Sequence, residues 1–165
     1  MSAQLQARAG AAFSGEVVEV VNPRSGAVDY RFTAPSRAEL TAEARRLRAA
    51  QRAWRDAPLA HRVEVMRRWR DALVAAEGEI LAALATDTGR YLIARSEYQS
   101  VPGTIERWCR TVTELAVERA DAPLVPTTSN SAISYRAQYV PYGLVGVISP
   151  WNFPFTLAFI DAIPA

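Results

Sequence analysis

Ser149, Pro150, Trp151, Asn152, Phe153 and Pro154 follow one another directly, between an apolar run at 144–148 and an apolar stretch at 155–165. Two prolines restrict the backbone, one indole offers a flat apolar face, and Asn152 offers a neutral amide donor. A side-chain amide aimed into a dry cleft stabilises an oxygen that gains negative charge during a reaction, by about 3–4 kcal/mol. The run at 144–148 is β-rich and uncharged, the pattern of a strand covered on both faces, and the residues beyond the turn read as a helix. In α/β proteins ligands bind just outside the carboxyl end of such a strand. Asn also suits a plainer role, the N-cap of the following helix. The residues alone leave both open for Asn152.

Few other side chains offer chemistry. The chain has one cysteine, Cys109, and one histidine, His61. That excludes an internal disulfide and a multi-histidine metal site, and no Cys/His spacing suggests zinc, so no metal is expected. Cys109 falls beside Trp108 in a helical pattern with no adjacent base, and reads as a packed helical thiol. His61 reads as solvated, Glu97, Glu106 and Glu114 as helix-surface carboxylates, and Trp54, Trp69 and Trp108 as core anchors. Gly143 and Gly146 do not make a dinucleotide fingerprint; a phosphate cradle must come from elsewhere.

The elements that must position the turn follow from periodicity. A chain of 165 residues, half hydrophobic and 22% charged, is globular in composition and long enough for one domain. Residues 1–15 read as a loose tail. Two β-rich runs, 16–21 and 28–33, flank the turn formers at 22–26 and make a hairpin. Ser36 with Glu39 is a capping box that opens a helix, and Asp56, Ala57 and Pro58 end it. A second helix carries Leu59, Val63, Met66, Trp69 or Arg70, Leu73 and Ala76 on one stripe and continues past Gly78 to Gly89, a suitable C-cap. A third helical region spans about 92–119, with Ile105, Trp108, Val112, Leu115 and Ala116 as its apolar face. Pro102 and Gly103 should start, kink or divide it. Residues 122–130 read as a loop and the alternation at 133–139 as a half-exposed strand.

All 19 basic residues are arginines, yet the net charge is only +2 and acids are interspersed, so no nucleic acid partner is expected. The N-terminus lacks the features of a signal peptide. The C-terminal apolar stretch is interrupted by Pro150, Asn152, Pro154 and Asp161 and is too broken to span a bilayer. A cytoplasmic chain with no membrane partner is the expectation.

The segment from Val140 through Pro154 resembles the PxGxVGxIxPWNFP signature of the aldehyde dehydrogenase superfamily. Asn22, Pro23 and Gly26 are similar to the family's NPxTG turn. Residues 49–54 resemble a helix end with Trp54 in place of Phe, and His61, Arg62, Val63 and Met66 resemble the next helix. Residues 86–90 resemble its ETGK turn, with Asp87 for Glu and Arg90 for Lys; Tyr91 stands for the usual Pro. The likeness covers about 16–165.

The resemblance implies an α/β fold: a β-hairpin and long helices (16–126), an oligomerisation-arm strand (131–141), and the first strand and helix of a Rossmann-like parallel sheet (143–165). It implies oxidation of an aldehyde to a carboxylic acid with NAD or NADP, through a cysteine thiohemiacetal and thioester, in a homo-oligomer. Asn152 would be the oxyanion donor, Ile148, Ser149, Pro150 and Trp151 the cofactor-cleft lining, and Phe153, Leu157 and Ile160 the aldehyde tunnel. In the family the nucleophilic cysteine, the glutamate base and a cofactor-gripping lysine follow this motif. The 165 residues alone are therefore expected to be inactive, and with an unpaired strand at 144–148 and an apolar last helix, prone to aggregate. A non-catalytic interaction module of the same family is the alternative.

Overall fold

The computed structural model describes residues 13–120, 123–136 and 140–165, and divides into two compact units, Met1–Arg52 and Ala53–Ala165. The first holds the expected hairpin, β1 (Val17–Val21) and β2 (Val28–Thr33), paired antiparallel from Val17 opposite Thr33 to Val21 opposite Val28 with a bulge at Val20/Val21. Asn22 shapes its turn: its side-chain oxygen accepts the Arg24 N–H at 2.9 Å, and its carbonyl accepts the Gly26 N–H at 2.9 Å. Glu19 and Arg31 stand opposite each other and pair at 2.6 Å.

Helix α1 (Arg37–Asp56) opens on the expected capping box. The Ser36 N–H donates to Glu39 Oε2 at 2.7 Å, and the Glu39 N–H reaches back to Ser36 Oγ at 3.4 Å. The tail expected over 1–15 lies outside the described residues up to 12. Its last residues are tied down, because the Ser14 N–H donates to Glu39 at 3.2 Å and the Gly15 N–H to the Ala34 carbonyl at 3.0 Å.

In the second unit follow α2 (Leu59–Ala75), α3 (Glu77–Thr88) and α4 (Tyr91–Ala120). The expected continuous second helix is interrupted at Ala76, whose φ of −96° and ψ of 14° depart from the α region. Gly89 ends α3 in the left-handed conformation at φ 66°, where a glycine carries no steric penalty. Helix α4 runs unbroken through Pro102. Proline inside a helix costs about 3 kcal/mol, but Val101 and Ile105 on either side are completely buried and keep the helix seated. Residues 121–122 and 137–139 are outside the described set, so the expected 133–139 strand is seen only as β4 (Ser134–Tyr135), paired antiparallel with β3 (Val125–Pro126). The last helix is α5 (Pro154–Ala162).

Ala94, Val101, Ile105 and Cys109, spaced three or four residues apart along α4 with Glu97 and Tyr98 between, form its buried face. Cys109, not Val112, belongs to that face; Val112 is exposed, and the Ala116 side chain is outside the described set. Val63, Met66, Trp69 and Leu73 of α2 and Phe155 and Phe159 of α5 pack against it, with Ile163 closing the cluster. Tyr98 Oη donates to the Leu73 carbonyl at 3.2 Å, joining α4 to α2. Glu106 does the same from outside, pairing with Arg67 at 2.8 Å and Arg70 at 2.7 Å, and the hydrogen bond from Arg67 leads in holding its carboxyl below the usual range.

Two expectations fail here. Trp54 is exposed, whereas Trp69 and Trp108 pack on the core. Residues 144–148, expected to be covered on both faces yet unpaired, do form no ladder with any described segment, but Leu144, Val145 and Ile148 are exposed. An apolar run adopts strand pairing only when a neighbour supplies the partner groups, and no described segment lies alongside it.

The capping box makes a pH prediction. Hydrogen bonds from the Ser36 hydroxyl, the Ser36 N–H and the Ser14 N–H lower the Glu39 pKa from 4.5 to about 2. A depressed carboxyl stabilises the fold above its unfolded pKa, and that contribution disappears as pH falls from about 4.5 to about 2. Carboxyl-carbon NMR should place the Glu39 midpoint near 2 and move it towards 4.5 in Ser36→Ala. An unmoved midpoint in that variant would show that the Ser36 hydroxyl is not the cause.

Candidate functional site

The turn at 149–153 enters α5 with Phe153 at the N-cap (φ −142°) and Pro154 in the first helical turn, where its missing N–H is no loss. Ser149 Oγ donates to the Pro154 carbonyl at 3.1 Å and closes the turn. No side chain of the turn caps the helix. The helix-cap alternative for Asn152 is therefore not what the fold uses. The Asn152 side chain is exposed and bonds to no other described residue, which leaves its amide available.

The cap comes from α4. Glu97 is only 2% exposed, and its Oε2 accepts the N–H groups of both Phe155 and Thr156 at 3.1 Å. An acidic group at a helix N-terminus satisfies free donors and meets the positive end of the helix dipole. Thr156 Oγ1 adds a contact to the Glu97 carbonyl at 3.4 Å. Glu97 was expected on the helix surface. Its place on the 94–97–101–105 stripe is the sequence signal that marks it as inward-facing.

Arg90 holds the other side of the turn. Directly after the Gly89 cap, its Nη2 donates to the Asn152 carbonyl and its guanidinium lies over the Phe153 ring, 5.5 Å from the centroid. Its Nε is buried with no hydrogen-bond partner. Sequence reasoning noticed Arg90 only as a variant of a motif.

The remaining candidates sort by exposure. Ile148 is 99% exposed and Trp151 80%, so both present their full apolar faces outward. Phe153 is exposed at 38%, Ile160 at 51%, and Leu157 is half-buried. The apolar α5 is covered on one face only within this chain. Its inner face carries Phe155, which lies 4.6 Å from Phe159, and Phe159 stacks on Trp69 at 5.0 Å; Phe153, Leu157 and Ile160 remain accessible to different degrees.

Cys109 lies in the α2–α4 seam, its Sγ 4.0 Å from the Val63 carbonyl, and burial pushes its pKa up. That is the setting of an unreactive thiol, because the thiolate is the nucleophile. Beside it an open groove of about 560 Å³ is lined by Leu59, Val63, Arg67, Cys109 and Thr113 among others, none of them from the turn. His61 and Glu114 are exposed, and no group of three or more metal-ligating side chains occurs among the described residues.

The sequence model of the aldehyde dehydrogenase family matches residues 11–165. The chain belongs to the aldehyde dehydrogenase family. A Mycobacterium tuberculosis protein provisionally named succinate-semialdehyde dehydrogenase (NADP+) 2 is 32% identical over 119 residues, 72% of this chain and 22% of that protein. The 2-hydroxymuconic semialdehyde dehydrogenase of Pseudomonas sp. strain CF600 is 31% identical over 147 residues, 87% of this chain and 30% of that protein. The structure of PutA from Anabaena variabilis, itself provisionally assigned as an aldehyde dehydrogenase, superposes with a TM-score of 0.76 at 38% identity over 90% of this chain and 31% of that one. A benzaldehyde dehydrogenase from Corynebacterium glutamicum shares the fold at a TM-score of 0.70. This aldehyde dehydrogenase chain thus spans less than a third of each of these proteins. Its described helices include none long and apolar enough to cross a membrane.

The Glu97 cap yields a prediction. Glu97→Ala deletes the acceptor of two helix N–H groups and should lower unfolding free energy by about 1–2 kcal/mol, the usual range for a lost cap. Glu97→Gln keeps one acceptor oxygen and should lose less. Urea unfolding followed by circular dichroism reads both, and equal loss in the two variants would contradict the cap.

Proposed function

We propose that this chain forms the N-terminal part of an NAD- or NADP-dependent aldehyde dehydrogenase that oxidises an aldehyde to a carboxylic acid, with Asn152 as oxyanion donor. The observation that carries the reading is the uncommitted Asn152 amide on a turn gripped from both sides, by Arg90 and by Glu97. Rigid donors of this kind act because they need no reorientation when charge develops. The thioester route, through a cysteine thiohemiacetal, calls for a reactive thiolate. Cys109, the one cysteine here, is buried with a raised pKa and does not fit that role.

The fully exposed Ile148 beside the exposed Trp151 fits one apolar wall of a nicotinamide cofactor cleft, with Ser149 and Pro150 between them. The bound cofactor supplies the hydride acceptor. The names of the relatives favour neither form, one carrying NADP and another NAD. Phe153, Leu157 and Ile160, accessible to different degrees on and beside α5, are proposed as one side of the aldehyde channel. Ile133, just before β4, and Tyr135 within it are exposed, which supports an oligomer contact through residues 131–141.

The test is absorbance of reduced cofactor at saturating aldehyde, using the complete product of the reading frame that encodes these residues. Asn152→Ala should lower kcat about 10²–10³-fold, the usual effect of deleting an oxyanion donor. Full turnover by that variant would remove Asn152 from the mechanism. The 165-residue chain alone should give no turnover, and turnover would reinstate Cys109.

A further inference from the structure

We propose that Arg90 is a positioning residue for Asn152 and Phe153, setting the oxyanion donor and the channel wall together from one guanidinium; this deepens, and rests on, the function proposed above. Arg90 follows the left-handed Gly89 and begins the segment that becomes α4, so its Cα is anchored to two helix ends at once. From there Nη2 donates to the Asn152 main-chain carbonyl, while the guanidinium carbon lies over the Phe153 ring, 5.5 Å from its centroid. Fixing the main chain of Asn152 leaves only its two side-chain torsions between the scaffold and the donor nitrogen. A reacting group must be held to within about 0.5 Å to be useful, and a free turn does not achieve that.

The arrangement calls for a cation that also donates a hydrogen bond. One donor is committed to a carbonyl, the cation sits over an aromatic ring, and Nε is buried without a partner. A buried donor left unpaired is unfavourable, so the guanidinium is placed by its contacts to the turn, and not by saturation of its own hydrogen bonds. Glu97 acts on the far side, at Phe155 and Thr156, and secures the helix rather than the donor. The two grips are seven residues apart in sequence, which is two helical turns, and they straddle the fully buried Ala94.

The experiment compares Arg90→Met and Arg90→Lys in the complete product of the same reading frame. Two readouts are taken: steady-state kinetics, and deuterium exchange by mass spectrometry on the peptide covering 149–157 and on a control peptide covering 98–109. Arg90→Met should speed exchange of the first peptide about tenfold and leave the control unchanged. Its kcat should fall about tenfold with the cofactor KM unaltered. Arg90→Lys keeps a cation and a donor and should recover at least half of each effect. Unchanged exchange at 149–157 in Arg90→Met overturns the proposal, as does faster exchange spread equally over both peptides, which marks general destabilisation. If the unsubstituted protein oxidises no aldehyde, the functional reading fails, and local exchange still decides whether Arg90 sets the turn.

Discussion

Two backbone N–H groups at the start of α5 need an acceptor, and the fold meets that need with a side chain from another helix. Glu97 supplies it from inside α4. Its Oε2 takes both N–H groups, which offsets part of the cost of burying the carboxyl group, while its Oε1 is buried without a partner. Once the first turn of α5 is fixed at Glu97, the direction of the helix is set. Phe155 and Phe159 then fall onto Tyr98 and Trp69, and Ile163 reaches the cluster at Val101, Ile105 and Cys109. The polar contact gives the angle and the aromatic contacts give the adhesion. Neither would place the turn alone.

Above this, the 149–153 turn is a short span between fixed points. Pro150 and Pro154 remove backbone freedom, Ser149 closes on the Pro154 carbonyl, and Arg90 holds the middle. The residues the turn presents, Trp151 and the Asn152 amide, contribute little to packing and remain at the surface. The side chains that hold the turn are thus not the ones it exposes.

Much of the local structure was legible in the sequence because its causes are local. The hairpin, the Ser36–Glu39 box, the break near Pro58 and the Gly89 cap depend on residues a few positions apart, and all four are present. The motif at 140–154 led directly to the family. What escaped depends on contacts far along the chain. Glu97 reads as a surface acid until α5 is laid against it, and Trp54 reads as a core residue although it stays 40% exposed. Pro102 reads as a helix break, yet burial on both sides keeps α4 whole. The 144–148 run reads as a strand covered on both faces; its lack of a described partner was expected, and its exposure was not.

The same long reach bears on the order of folding. The bonds that define the turn join residues 58 to 62 positions apart, whereas α2, α3 and α4 meet through short connections. Closing a loop of that length costs roughly 3–4 kcal/mol of chain entropy before any contact repays it. The turn is thus a non-local structure that can close only when α4 is there to receive it. During synthesis the apolar residues of α5 emerge after the surface built to receive them, an ordering that shortens the time they spend in water.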